Sequence, residues 1–281
     1  MATRRAKQDL RGKVTLRMRG GAPSPLILKV AEHVARSFRG ELHGVFLEHE
    51  ELLAVAAMPF AREISLNGRR TRTLSPEAVR KEMEAASTAM ARKFASLAKS
   101  ASIPAHFKVI RGATLDALGD AMENTGILAI GEPLALPAPD IFPDLLSDLA
   151  NFTGVVVVGC EACRIDGSIL AVIDPAADVA NVVDTAEQLA AERGEEVILL
   201  ITGAEGDASE RLETKARAAL DPVTRYRFER SIVDTPQAFG SLVKDCETGL
   251  VVGRIGGPIA EDGMQAVRFA CAIECPLLLL R

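Results

Sequence analysis

Short apolar runs and amphipathic stripes alternate along the whole chain. VTLRM at 14–18 precedes a stripe of Ile27, Val30, Ala31, Val34 and Phe38, and SILAVI at 168–173 precedes one of Val179, Val182, Val183, Ala186 and Ala190. Both stripes have the spacing 3, 1, 3, 4, which puts each set on one face of an α-helix. A strand followed by such a helix, over and over, predicts an α/β protein with parallel strands and crossover helices. The recurrence of one spacing in two places marks an internal repeat.

The match extends further. RGELHGVFL at 39–47 stands beside RGEEVILLI at 193–201, each a helix end with glycine leading into a second strand. ALGDAMENTGILAIG at 117–131 stands beside AFGSLVKDCETGLVVG at 238–253, and the halves close on GVVVVG at 154–159 and PLLLLR at 276–281. Each half reads as five strands and four helices, giving domains at 1–164 and 165–281. The first half carries an insertion at about 48–75, with an apolar stretch from Leu52 to Phe60 and basic Arg69, Arg70 and Arg72. One reading makes it an extra helix capping a sheet edge plus a solvated loop, the other a lobe facing a ligand or a protein partner. Ser75, Pro76 and Glu77 supply a capping hydroxyl, a first-turn proline and an acid, so a long helix is expected from there to about residue 100.

Composition narrows the classes. The longest apolar runs, such as LLAVAAMPF at 52–60, fall short of the roughly 20 residues of a spanning helix. The basic N-terminus lacks the apolar stretch of a secretory signal, so no membrane association and a cytoplasmic location are the expectation. Five cysteines suggest reduced thiols rather than a disulfide scaffold. The net charge of −5 is unevenly spread, +4 up to residue 164 and −9 beyond it, which could orient one half toward a charged partner. With one tyrosine and no tryptophan a base-stacking platform is hard to build, which disfavours nucleic acid.

The chemistry concentrates in two stretches, AVIDP at 171–175 and VVGRIGGPIAEDGMQAV at 251–267. A strand ending in Asp, and a glycine loop before the last helix and an apolar final strand, resemble the universal stress protein family, and the whole chain is similar to a tandem pair of such domains. That resemblance implies a strand order 3-2-1-4-5 in each half, an adenine nucleotide alpha hydrolase-like arrangement, with fifth strands pairing antiparallel across a pseudo-two-fold axis. In ATP-binding members the loop reads Gly, two residues, Gly, nine residues, then Gly-Ser or Gly-Thr, so that backbone N–H groups and a hydroxyl meet the phosphates. Gly253 and Gly256 keep the first spacing, but Ala266 and Val267 stand where the closing donors belong. In the first half Gly131 is followed by Glu132 and Pro133, one repelling a phosphate and the other lacking an N–H.

The resemblance therefore implies a binding or regulatory protein without tight ATP binding. The alternative within that class is an ATP or AMP binder using Asp174 on a ribose hydroxyl and Gly253, Arg254, Gly256 and Gly257 on the phosphates. Structural readings stand beside these: Asp174 before Pro175 capping the next helix, the glycines forming only a turn, Arg254 merely solvated. Under antiparallel pairing of the fifth strands, Cys160 and Cys163 would approach Cys271 and Cys275, either as packed thiols or as a zinc or redox cluster. His33, His43, His49 and His106 show no metal-ligand spacing, and no nucleophile elbow, Walker loop or kinase signature occurs. A nucleotide-hydrolysing enzyme would need a base that no residue supplies, so the expectation is no catalyst; partners are a protein on the insertion or a second copy of the chain.

Overall fold

The computed structural model describes residues 12–18, 25–48, 50–64, 71–111, 126–130, 152–159 and 163–281. Expected elements at 117–125, His49, Glu132, Pro133 and Cys160 lie outside the described residues.

In chain order the first half supplies β1 (Lys13–Met18), α1 (Pro25–Ser37), β2 (Glu41–Glu48), α2 (Glu50–Ala56), β3 (Arg62–Ile64), β4 (Thr71–Thr73), α3 (Pro76–Ala101), β5 (Ala105–Arg111), β6 (Ile127–Ile130) and β7 (Gly154–Val157). The second supplies β8 (Ser168–Ile173), α4 (Val179–Arg193), β9 (Val197–Ile201), α5 (Gly206–Ala219), β10 (Tyr226–Arg230), α6 (Pro236–Asp245), β11 (Thr248–Arg254), α7 (Gly263–Ala272) and β12 (Leu277–Leu280). A ten-stranded sheet runs in the order β10-β9-β8-β11-β12-β7-β6-β1-β2-β5. Each half thus contributes the order 3-2-1-4-5, and the halves join where β12 and β7 pair antiparallel, Leu277 opposite Val157 and Leu280 opposite Gly154. The insertion adds α2 and a separate two-stranded hairpin of β3 and β4.

Strand composition follows from burial on both faces. Ile169, Ala171 and Ile173 of β8 point into the core shared by α1, α3, α4 and α5, while Leu170 and Val172 point into the core under α6 and α7. With no water on either side, every position is apolar rather than every second one. The same alternation splits β12, Leu278 and Leu280 to one core and Leu277 and Leu279 to the other, so both cores run across the seam.

Helix ends obey local rules. Ser75 accepts from the Ala78 N–H with Pro76 in the first turn, as expected of its sequence, and α3 stops at Ser102 in the left-handed conformation. Gly194 closes α4 at φ 68°. In the first half the expected glycine ending is different: Arg39, at φ 51°, is the left-handed residue. Gly40 is needed instead because a Cβ there would collide with the Gly12 carbonyl beside the start of β1.

The halves also meet through α1 and α4. His33, only 4% exposed, bonds through Nδ1 to Glu192 Oε2 at 2.9 Å, and Glu192 Oε1 pairs with Arg36 Nε at 3.0 Å. Burial, and secondly the Arg193 charge, hold the imidazole below its ordinary 6.5, against the upward pull of Glu192. The unfolded chain then binds the extra proton first, so the contribution of neutral His33 is complete above pH 6.5 and declines as pH falls through the lowered folded value. Urea midpoints are expected to drop between pH 7.5 and 5 more steeply in the native chain than in His33→Gln; equal slopes would refute this role.

Candidate functional site

The C-terminal ends of the central strands of the second half bring Asp174, just past β8, beside Arg254 at the end of β11, because β8 and β11 are neighbours in the sheet. Open parallel sheets bind ligands at this edge. Here the two residues bind each other. Arg254 Nε donates to Asp174 Oδ2 at 2.8 Å and Nη2 donates to Oδ1 at 2.9 Å, a two-pronged pair with side chains 25% and 7% exposed. Asp174 Oδ1 also accepts from the Ala176 N–H at 2.9 Å. The carboxylate does not cap the next helix, which corrects that reading: Asp178 caps α4 by accepting from the Asn181 N–H.

The glycine loop is folded onto itself. Ile255 donates to Leu280 O at 2.7 Å, Gly256 to Ala260 O at 2.7 Å and Gly257 to Arg254 O at 3.2 Å. The backbone donors that a phosphate would need are thereby consumed. Gly256 has φ 75°, and a Cβ there would sit 3.4 Å from Arg254 Nη1; one on Gly257 would lie 2.9 Å from Arg254 Cγ and 3.3 Å from Asp174 Oδ2. The glycines bring the backbone close to the guanidinium and carboxylate of this chain. On Gly253 a Cβ would lie 2.6 Å from Ile259 Cδ1, so that glycine makes room for Ile259 in the core.

The far side of the loop is closed as well. Ala266 is fully buried and Val267 nearly so, both on α7 and facing the core beneath that helix. Asp262 caps α7 by accepting from Gln265 N at 2.7 Å, and Gln265 Oε1 accepts from the Glu261 N–H. A carboxylate thus already holds the helix N-terminus where an anion would otherwise bind. The five residues singled out in the sequence are brought together, yet as a mutually satisfied cluster. Arg254 as partner of Asp174 was not expected from the sequence, which offered it only as a charge for an anion or as a solvated loop residue.

The cysteines and histidines settle elsewhere. Arg164 N bonds to Glu274 O at 2.6 Å, so the segments after β7 and before β12 do meet. Cys163, however, is disulfide-bonded, which corrects the expectation of reduced thiols throughout, and Cys271 is exposed while Cys275 is buried. Burial pushes the Cys275 thiol up to about 12, the reverse of what a metal-binding or reactive thiolate needs. No metal-holding cluster occurs among the described residues. His43 and His106, 63 positions apart, stack in register on β2 and β5 with ring centroids 5.1 Å apart, and His43 Nε2 bonds to Glu41 at 2.8 Å. Among the described residues no helix is long and apolar enough to cross a membrane.

Sheet order, seam and strand-end site together define a universal-stress-type α/β fold. Among solved structures the chain is similar to a universal stress protein from Archaeoglobus fulgidus DSM 4304, with TM-score 0.67, 12% identity, and coverage of 96% of this chain and 98% of that one. It is also similar to a functionally unknown protein from Pseudomonas aeruginosa PAO1, with TM-score 0.57, 14% identity and coverage of 98% and 94%. The cytoplasmic domain of a prokaryotic cation chloride cotransporter matches with TM-score 0.56 and 10% identity over 95% of this chain and 94% of that one. No family model matches, and no curated protein matches.

Proposed function

We propose that this is a non-enzymatic binding or regulatory protein of the universal-stress type, built of tandem domains 1–164 and 165–281, that does not hold ATP tightly. The observation that carries this reading is the Asp174–Arg254 pair: the acid that the family resemblance assigns to a ribose is neutralised by an arginine of the chain itself. A nucleotide would have to break that two-pronged bond and also free the N–H groups of Gly256 and Gly257. The uncharged Ala266 and Val267, packed in the core, return nothing for that cost.

A ligand selective for the folded state at a hundred times its Kd adds about 2.7 kcal/mol of stability. Titration with ATP and magnesium into the millimolar range is therefore expected to leave Tm unchanged, and denatured protein is expected to release no nucleotide on mass spectrometry. A saturable rise in Tm would reject the reading in favour of an adenine-nucleotide binder.

A second reading, docking of a protein partner on the insertion, rests on its exposed apolar side chains. Leu52, Val55, Met58, Phe60 and Ile64 are between 45% and 77% exposed on α2 and β3 and between them. Changing Leu52→Ser together with Phe60→Ser should alter stability by no more than about 0.5 kcal/mol per site, because neither side chain is buried. Capture of the partner should be lost. Capture that survives the double change would dismiss the insertion as the docking surface.

A further inference from the structure

A second strand-end cleft, of about 570 Å³, opens at the ends of β9 and β10 beside the N-terminus of α5, away from the sealed pair at Asp174. Its floor is Ile201 and its outer wall the 72%-exposed Ile232. Glu205 precedes the helix but makes no side-chain cap, so the N–H groups of Gly206 and Asp207 in the first turn have neither an intrahelical acceptor nor a capping oxygen. This is the contrast with α7, where Asp262 fills that role.

Ser209 supplies an independent observation. It is 95% buried by its 5% exposure, lines the cleft, and its hydroxyl takes part in none of the hydrogen bonds of the described residues. Hydroxyls on helices ordinarily bond back to the preceding turn, as Thr214 does to Glu210 O at 2.8 Å. Facing the cleft without a protein partner among the described residues, this hydroxyl can donate to and accept from a ligand seated there. Arg230 lines the cleft too, with Nη2 on Glu213 at 2.6 Å and the rest of its guanidinium available, and the Glu205 carboxylate stands exposed at the rim.

We propose that this cleft binds a small apolar zwitterion of the α-amino acid class. The first-turn N–H groups of α5, the Ser209 hydroxyl and Arg230 receive the carboxylate, Glu205 receives the ammonium, and Ile201 and Ile232 cover the side chain. Both signs of charge are needed to account for the lining: a simple anion would be repelled by Glu205, and a simple cation by the helix N-terminus. The site is separate from the Asp174–Arg254 pair and does not depend on how that pair is interpreted.

L-Leucine titrated into isotope-labelled protein tests this through amide resonances, with 4-methylpentanoate as the probe lacking the ammonium. Leucine is expected to shift Gly206, Asp207 and Ser209 saturably. 4-Methylpentanoate should bind roughly tenfold more weakly, as expected for loss of one charge-assisted contact. Arg230→Gln should weaken leucine by a similar factor, and Glu205→Gln should weaken leucine while leaving 4-methylpentanoate unchanged or improved. The proposal is overturned if leucine gives no saturable shift into the tens of millimolar, if the shifts centre on residues 253–257, or if both probes bind equally to the native protein.

Discussion

Replacing Arg254 with leucine is expected to lower stability by about 3 kcal/mol, although the residue lies at a loop and a quarter of its side chain is exposed. Removing one partner of a buried ion pair strands the other, and fully buried cases cost about 3–5 kcal/mol. Partial exposure of the guanidinium brings the expectation to the lower end. Asp174, 5% exposed, would keep only the Ala176 N–H. The companion change Asp174→Asn retains that acceptor and removes the stranded charge. The double variant should therefore recover to within about 1 kcal/mol of the native chain. Urea unfolding with an unchanged m-value is the measurement. If Arg254→Leu alone falls within 0.5 kcal/mol of native, roughly the effect of an ordinary surface change, the pair does not hold the site closed.

Gly159→Ala should have an effect of the same size, through backbone rather than charge. Gly159 follows β7, the last strand of the first half, and a methyl group there would overlap the Ala270 carbonyl and crowd the Cys271 N–H, both in α7 of the second half. These are backbone atoms inside a helix, so relief requires moving α7 off the seam. Overpacking of this kind costs about 3 kcal/mol. Phe269 and Ala270 of the same helix are buried against Leu277 and Leu279 of β12, so displacement would loosen the core shared by both halves. Thermal or urea unfolding of Gly159→Ala reads this directly; near-native stability would mean that α7 moves freely against the first half.

Much of the fold was legible in local patterns. The stripes at 27–38 and 179–190, and the wholly apolar runs SILAVI and PLLLLR, became α1, α4, β8 and β12 because helix period and two-sided burial leave their mark on neighbouring residues. The Ser75 start of α3 was legible for the same reason, since a cap spans only a few positions. The site was legible in membership and not in state. Asp174 and the loop at Gly253 and Gly256 were recognisable as residues that meet at the strand ends, but the partner of Asp174 lies 80 positions away. Arg39 taking the left-handed position instead of Gly40, and His43 stacking on His106, were equally hidden, since each depends on a neighbouring strand.

The sequence by itself determined the succession of strands and helices and their repetition, and it places Ala266 and Val267 where the family resemblance would put the closing phosphate donors. The joining of the halves through antiparallel β7 and β12, expected from the family resemblance, is observed; only the tertiary structure decided that Arg254 occupies Asp174 while the loop N–H groups turn inward. The physical reason is the range of the interactions. Periodicity and capping act over one or two turns, whereas a hydrogen-bonded ion pair forms only where the sheet order places two distant strand ends side by side.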